Sequence, residues 1–317
     1  MDLVLTLAGF GVGVVVGLTG MGGGALMTPI LVLFFGVPPL AAVSSDLAAS
    51  AVMKPFGGWV HARRGTVCWP LVWWLCAGSI PSAFAGVMLM RLVGHDGAVQ
   101  EAVRYALAVA LLLAAGGLVV RAYTGQGRTA AEDWAATVRV RRLPTLLLGA
   151  VGGLVVGLTS VGSGSLIIVV LLALYPALRA NDLVGTDLVQ AVPLVTAAAL
   201  GHAFFGDLHL DVAAAVLVGS VPGVLLGARM SSRAPAGMVR AALVVVLVAS
   251  ALKLFGVANM VVAVAVVSGV AAMAGEALLR RAAAGRTSRP EVAGTTGEAV
   301  RPPGPAPRAT PDPALGQ

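Results

Sequence analysis

The stretch Gly17-Leu18-Thr19-Gly20-Met21-Gly22-Gly23-Gly24-Ala25-Leu26 interrupts an otherwise unbroken apolar run. It recurs half a chain later as Gly157-Leu158-Thr159-Ser160-Val161-Gly162-Ser163-Gly164-Ser165-Leu166. Glycine is among the poorest helix formers, so each stretch breaks the backbone at a place whose flanks are strongly apolar. The flanks belong to a membrane chain. Of 317 residues, 58% are hydrophobic and only 11% charged, with a mean hydropathy of +0.94, whereas a soluble domain carries about 25% charged residues. Apolar runs long enough to cross a bilayer, about 20 residues each, recur along the whole length. In hydrocarbon a non-helical backbone is tolerated only where protein buries it or a watery cavity receives it. The two breaks are therefore the strongest constraint on the fold and the first place to look for a site.

The apolar segments run 3–19, 25–36, 40–60, 67–92, 102–120, 144–160, 165–178, 183–204, 212–230, 236–255 and 257–279. Two pairs, 3–19 with 25–36 and 144–160 with 165–178, are joined across the Gly-rich breaks. The other seven read as full spans. The fold class is an all-α polytopic membrane protein with about seven spans plus two broken, re-entrant or discontinuous, helix pairs. The net charge of +7 marks cytoplasmic loops and gives no reason to expect nucleic acid as a partner. His61-Ala62-Arg63-Arg64, the arginines from Arg121 to Arg142, Arg229 with Arg233 and Arg240, and Arg280-Arg281 form the basic side. Asp96 to Glu101 and Asp207 to Asp211 form the acidic side. This alternation places the N-terminus outside and the C-terminus inside, provided each broken pair leaves and returns on one side; Arg91 and Lys253 run against the trend. The domains follow: 1–122 a first transmembrane repeat, 123–143 a basic cytoplasmic linker, 144–281 a second repeat, and 282–317 a disordered tail rich in Pro, Gly, Ala and Thr. Met1 to Phe10 lacks the basic region of a cleavable signal peptide and reads as a retained membrane segment. Cys68 and Cys76 have no CxxC spacing and read as buried free thiols. No pattern calls for a cofactor or a metal.

The halves repeat. At an offset of 140, Gly9, Gly13, Gly17, Leu18, Thr19, Gly22, Gly24 and Leu26 match Gly149, Gly153, Gly157, Leu158, Thr159, Gly162, Gly164 and Leu166. At an offset of 141, Asp46, Leu47, His61, Gly65, Gly78, Ser79, Pro81 and Gly86 match Asp187, Leu188, His202, Gly206, Gly219, Ser220, Pro222 and Gly227. Arg63-Arg64 align with Phe204-Phe205 beside the acidic Asp207, so equivalent loops carry opposite signatures and fall on opposite faces of the membrane. The halves read as inverted repeats, an arrangement that in secondary transporters puts the substrate site near the midplane at the broken helices.

Each break opens a new helix, at Ala25 and at Ser165, whose first N–H groups lack intrahelical partners. With the positive end of the helix dipole, they form an anion site. The candidate substrate-binding residues are Thr19, Gly20, Gly22, Gly23, Gly24, Thr159, Ser160, Gly162, Ser163, Gly164 and Ser165. Gly9, Gly13 and Gly17, spaced by four, favour helix packing instead. Candidate coupling or gating residues are Asp46, Asp187, Lys54, His61, His202 and Gln190. An intramembrane carboxylate is a functional candidate by default, and protons are the expected coupling ion. Ser44-Ser45-Asp46 and Gly185-Thr186-Asp187 also look like N-caps, so both readings stand. Lys54 either attracts an anion or snorkels toward the inner interface. The histidines either gate or sit at the interface, and Gln190 and Pro193 are candidates for lining a pathway. Trp69, Trp73 and Trp74 read as an interfacial belt.

The two Gly-rich copies, the Ser-Ser-Asp-Leu and Gly-Thr-Asp-Leu segments, and the Gly-Ser-x-Pro pair at 78–81 and 219–222 resemble the sulfite exporter TauE/SafE family. The resemblance covers residues 3–279; Pro29 fits the family's first copy, while Val169 stands where a second proline would be. It implies a secondary transporter, an exporter, of sulfite, sulfonates or another small sulfur-containing anion in the cytoplasmic membrane of a bacterium, by alternating access and without catalysis. It does not fix the oligomeric state. Another small anion such as a carboxylate, an intramembrane peptidase built on the two aspartates, and a membrane scaffold are the competing classes. The aspartates lack Tyr-Asp or Gly-x-Gly-Asp settings, and the loops are short for a scaffold.

Overall fold

The computed structural model describes residues 3–19, 23–93, 97–124, 140–164, 166–176, 178, 180–205, 210–230 and 236–287. Gly20, Gly22, Ser165, the side chain of Thr19, most of the expected linker, the acidic loops at 94–96 and 206–209, and the tail beyond 287 lie outside the described residues. The described residues form eleven helices: α1 (Leu3–Thr19), α2 (Gly24–Phe34), α3 (Pro39–Arg63), α4 (Trp69–Val93), α5 (Gly97–Thr124), α6 (Arg142–Thr159), α7 (Leu166–Leu174), α8 (Ala180–Phe205), α9 (Leu210–Met230), α10 (Ala236–Leu254) and α11 (Asn259–Thr287). Met1–Ala274 forms one compact unit, and Gly275–Gln317 a second, whose described part is helical.

Both breaks fall where the glycines put them. α1 stops at Thr19 and α2 starts at Gly24; α6 stops at Thr159 and α7 starts at Leu166. Among the described residues, five helices are long and apolar enough to cross a membrane by length and composition: those covering Trp69–Met90, Gln100–Val120, Arg142–Thr159, Asp182–Phe205 and Leu210–Gly227. α3, at 25 residues, is as long as most of them, but it is loaded with polar residues that its neighbours bury. The buried share of the five windows lies between 39% and 50%. The outward faces stay apolar, with Phe34, Phe204 and Met260 each about four-fifths exposed. A surface this apolar suits lipid and is a liability in water.

The halves are built into each other. α1 packs against α9 and α6 against α4, while α3 packs on α8 and α5 on α10. A Cβ on Gly9 would stand 3.0 Å from the carbonyl of Val216, and Gly13 lies on the backbone of Ser220. In the other half, Gly149 lies on the backbone of Leu75 and Gly153 on that of Ser79. Reciprocally, Gly219 lies on Thr6 and Gly78 on Leu146. Every one of these contacts maps onto its partner by the same offsets of 140 and 141. Small residues let helix backbones approach this closely where no hydrophobic force pulls helices together. The packing reading of Gly9 and Gly13 is thereby settled.

Direction can be read from the same contacts. Gly58 faces Leu188, Val189 and Val192, whereas His61 and Thr66 face Gly185; α3 and α8 therefore run antiparallel. Tyr105 near the start of α5 meets Phe255 just beyond α10, with ring centroids 5.9 Å apart, so α5 and α10 also run antiparallel. One apolar cluster joins Met27 and Leu31 of α2 to Leu107 and Leu111 of α5 and Leu247 of α10. Another joins Ile167, Ile168 and Leu171 of α7 to Leu71 and Leu75 of α4. Each short helix is thus clasped by elements of both halves.

Gly153→Ala forces a methyl into the backbone of Ser79 and is expected to cost about 1–3 kcal/mol, as overpacking does. Gly11, with nothing within 4 Å of its would-be Cβ, should accept alanine without loss. Thermal unfolding of the detergent-solubilised protein distinguishes them, and equal midpoints would refute the close α6–α4 contact.

Candidate functional site

Asp46 and Asp187 are both fully buried and both lie well inside their helices, α3 and α8. The N-cap reading of these residues is therefore corrected. Pro38 is the N-cap of α3 and Pro39 its first residue; a proline ring presets the helical φ at that position and starts the helix earlier than the Ser-Ser-Asp pattern suggests. The hydroxyl of Ser44 turns back to the carbonyl of Ala41 at 3.0 Å, as serines inside helices do.

The carboxylate of Asp46 is answered from both halves. Its Oδ2 accepts a hydrogen bond from Thr28 on α2 at 3.2 Å and one from Ser160 in the second break at 2.5 Å. Its Oδ1 has no hydrogen-bond partner among the described residues and faces Gly23, whose would-be Cβ lies 3.8 Å away. Gly23 caps α2, and its carbonyl accepts from Leu26 and Met27. The amide groups of Gly24 and Ala25 precede that first bond and point out of the helix end. A Cβ on Gly24 would collide with the carbonyl of Ser160. The two breaks thus touch, with Asp46 beneath the contact.

Ser160 is the one non-glycine residue with positive φ among the described residues, at 59°. The left-handed conformation costs an L-residue about 1–2 kcal/mol, and such outliers cluster at functional sites. The conformation is held by the Ser160 amide on Val156 at 2.7 Å and by the bond to Asp46. Thr159 ties the turn internally, donating to Val155 at 2.6 Å and accepting from the amide of Val161 at 3.2 Å. Gly162 then takes φ 131°, which only glycine adopts without strain, and its carbonyl receives the amides of Leu166 and Ile167 that open α7.

Lys54 does not snorkel. It is 7% exposed, and among the described residues its ammonium bonds only Ser163 of the second break, at 2.5 Å. Asp187 and Asp46 both act on its charge, yet neither is its hydrogen-bond partner among the described residues. An ammonium has three donors, so a buried cation stands beside the N-terminus of α7 with donor capacity to spare. Gly23, Gly24, Asp46, Lys54, Ser160 and Ser163 therefore converge, with Asp187 in electrostatic range.

The remaining candidates lie elsewhere. His61, half-buried, bonds Thr66 at 2.9 Å. His202 is fully buried rather than interfacial, its Nε2 3.2 Å from the carbonyl of Gly157. Gln190 is buried against α4, accepting from Ser79 at 3.2 Å. Pro193 lines an apolar groove of about 500 Å³ with Trp59, Trp69, Trp73 and Val72, apart from the polar cluster. Cys68 and Cys76 are buried free thiols. No cluster of three His, Cys, Asp or Glu suited to a metal occurs among the described residues. Thr28 and Ser79 were missed from sequence. Thr28 is the one hydroxyl in Gly24-Ala25-Leu26-Met27-Thr28-Pro29-Ile30-Leu31, which was its available signal; Ser79 stood in a noted motif without a role.

The chain matches known proteins over nearly all of this region. A family model described as "Sulfite exporter TauE/SafE" matches residues 5–254. The Bacillus subtilis (strain 168) "Probable membrane transporter protein YjnA" is 38% identical over 237 residues, 74% of this chain and 91% of that protein. "Probable membrane transporter protein YdhB" of the same organism is 23% identical over 241 residues, 76% of this chain and 95% of that protein. No solved structure matches.

Lys54→Met leaves two buried carboxylates without their cation and is expected to cost about 3–5 kcal/mol, as removal of one partner from a buried charge set does. Lys54→Met combined with Asp187→Asn should recover a large part of that loss in unfolding midpoints. Strictly additive losses would mean the two charges do not sense each other.

Proposed function

Since the chain belongs to the sulfite exporter TauE/SafE family, we propose that it is a secondary transporter exporting small sulfur-containing anions, such as sulfite or organosulfonates, across the cytoplasmic membrane. The observation that carries this reading is Lys54, buried inside the bundle and hydrogen-bonded to Ser163 where α7 begins. A buried ammonium hydrogen-bonded to a hydroxyl just before a helix N-terminus suits an oxyanion. The facing end of α2 supplies the second wall.

The substrate enters between the two breaks, and access alternates as one half moves against the other. Support for inverted repeats comes from the packing: equivalent helices α3 and α8 run antiparallel, as do α5 and α10, while the glycine contacts recur under the repeat offsets. The close glycine seams α1–α9 and α4–α6 suit rigid units that move as bodies, with the Gly24–Ser160 contact as the surface on which they part. The basic ends, Arg63 and Arg142 among them, favour a cytoplasmic C-terminus and an outer N-terminus by the positive-inside bias. Such a carrier needs binding groups and no catalytic ones.

Purified protein in proteoliposomes is expected to move sulfite, thiosulfate or a sulfonate from a panel that also includes carboxylates. Gly23→Val and Ser163→Leu should abolish that flux with the protein still in the membrane. Flux of carboxylates alone would change the substrate class; unimpaired flux in both variants would sink the site.

A further inference from the structure

The apolar groove of about 500 Å³ takes no part in the polar cluster. It runs between α3 and α4 over α8. α3 ends at Arg63 and α4 begins at Trp69, so Trp59, Ala62 and Trp69 line the groove where the two helices join, and Pro55, Ile80 and Pro193 line it farther in. The groove is open to its surroundings, with Trp59 57% and Trp73 71% exposed. At the helical rise, Pro55 to Ala62 covers about 10 Å and Trp69 to Ile80 about 16 Å, roughly half of the ~30 Å hydrocarbon core. The groove is one leaflet deep. Its mouth is basic. Arg63 stacks on Trp59 with its guanidinium carbon 4.1 Å from the ring centroid, and Arg64 follows. α4 and α6 run the same way, since Gly149 lies on Leu75 and Gly153 on Ser79. Arg142 therefore begins α6 at this same end, 5.7 Å from the Trp74 ring. Asp182, the acidic residue of α8 at that end, is buried. The repeat does not demand these features. Under the offset of 141, Trp59, Trp69 and Trp73 become Leu200, Leu210 and Ala214, and Arg63-Arg64 become Phe204-Phe205. The equivalent face of the second half has neither the indole rings nor the cations.

We infer that this groove binds one anionic phospholipid, its phosphate held at Arg63 and Arg64 and one acyl chain laid along Trp59, Trp73 and Pro193. A guanidinium stacked by its face on an indole keeps its N–H edge for a phosphate. Tryptophan, apolar with one polar N–H, suits the level where headgroup gives way to tail. A chain one leaflet long matches the groove, whereas a partner helix would cross both leaflets. A second copy fits less well: a two-fold dimer sets the same patch of each chain face to face, and the two arginine rims would then repel. The tail also lies against the softest point of two helices. Pro55 and Pro193 sit inside α3 and α8, and a proline there removes one rung of the hydrogen-bond ladder. Lys54 directly precedes Pro55, so an occupied groove braces α3 at the turn that carries the buried cation.

The test uses the full chain in detergent micelles that contain equal amounts of phosphatidylglycerol and phosphatidylcholine with identical tails. Native mass spectrometry should find one phosphatidylglycerol retained, with a preference of about tenfold over phosphatidylcholine. The same lipid should raise the unfolding midpoint, as a ligand of the native state does. Arg63→Gln combined with Arg64→Gln should bring the preference down to about one. With brominated tails, phosphatidylglycerol should quench tryptophan fluorescence, and Trp59→Phe and Trp73→Phe should each remove part of that quenching. Ala62→Phe, which puts a ring into the groove, should abolish retention. Equal retention of the two lipids by the wild type, or a preference that survives loss of both arginines, overturns the proposal. Quenching left unchanged by both tryptophan variants places the tail elsewhere and overturns it too, whether or not Ala62→Phe folds. A doubled mass with no lipid retained gives the face to a second copy and has the same consequence. None of these outcomes depends on transport, so the carrier reading stands or falls separately.

Discussion

A carboxylate withdrawn from water must be answered by donors or by a cation, because burying an isolated charge costs more than a fold can spare. Asp46 is answered by the hydroxyl of Ser160, which belongs to the other half of the chain. That one bond requires the second break to be open at Ser160, in a conformation a serine does not choose on its own, and it requires the first break to lie alongside. Much of the polar interior follows from it. Gly24 must lack a side chain so that Ser160 can come close, and Lys54, on the same helix as Asp46, is carried to Ser163. A charge-assisted hydrogen bond contributes about 1.5–3 kcal/mol, enough to offset the left-handed turn that makes it possible.

Glycine does two different jobs in this chain. Along α1, α4, α6 and α9 it lets backbones touch, and the helices there are unbroken. At 23–24 and 162–164 it ends one helix and permits the next. The same residue type thus supplies the rigid seams and the exposed backbone between them, and Gly24, where the second break abuts the first, serves both roles. That partition suits the carrier proposed above, which needs bodies that hold their shape and a place where polar backbone can meet a ligand.

Much of the fold was legible in the sequence. The breaks are where the glycine clusters lie, and the repeat offsets predicted which residues would be equivalent in the packing. The site was only partly legible. The breaks and the intramembrane Asp46 and Lys54 stood out because charge and glycine are rare in an apolar segment. Thr28 did not, because a lone threonine beside a proline looks like an ordinary helix residue until α2 is laid against α3. The N-cap reading of Asp46 and Asp187 went wrong because local patterns cannot see that α3 begins earlier, at Pro39, and α8 at Ala180. His202 resembled an interfacial residue by its place near a helix end. It is buried because α6 covers it, a contact far away in sequence.

The exchange of helices between halves also governs how the protein is made. α1 leaves the ribosome well before the surface it fits, on α9, which lies some two hundred residues downstream. At about 5–20 residues per second, the first helix waits on the order of tens of seconds in the bilayer with its glycine face unmatched. α4 waits a shorter time for α6. The first half therefore has no finished structure of its own to adopt during synthesis. The polar contact between Ser160 and Asp46 forms only once α6 and the second break have followed α3 into the membrane.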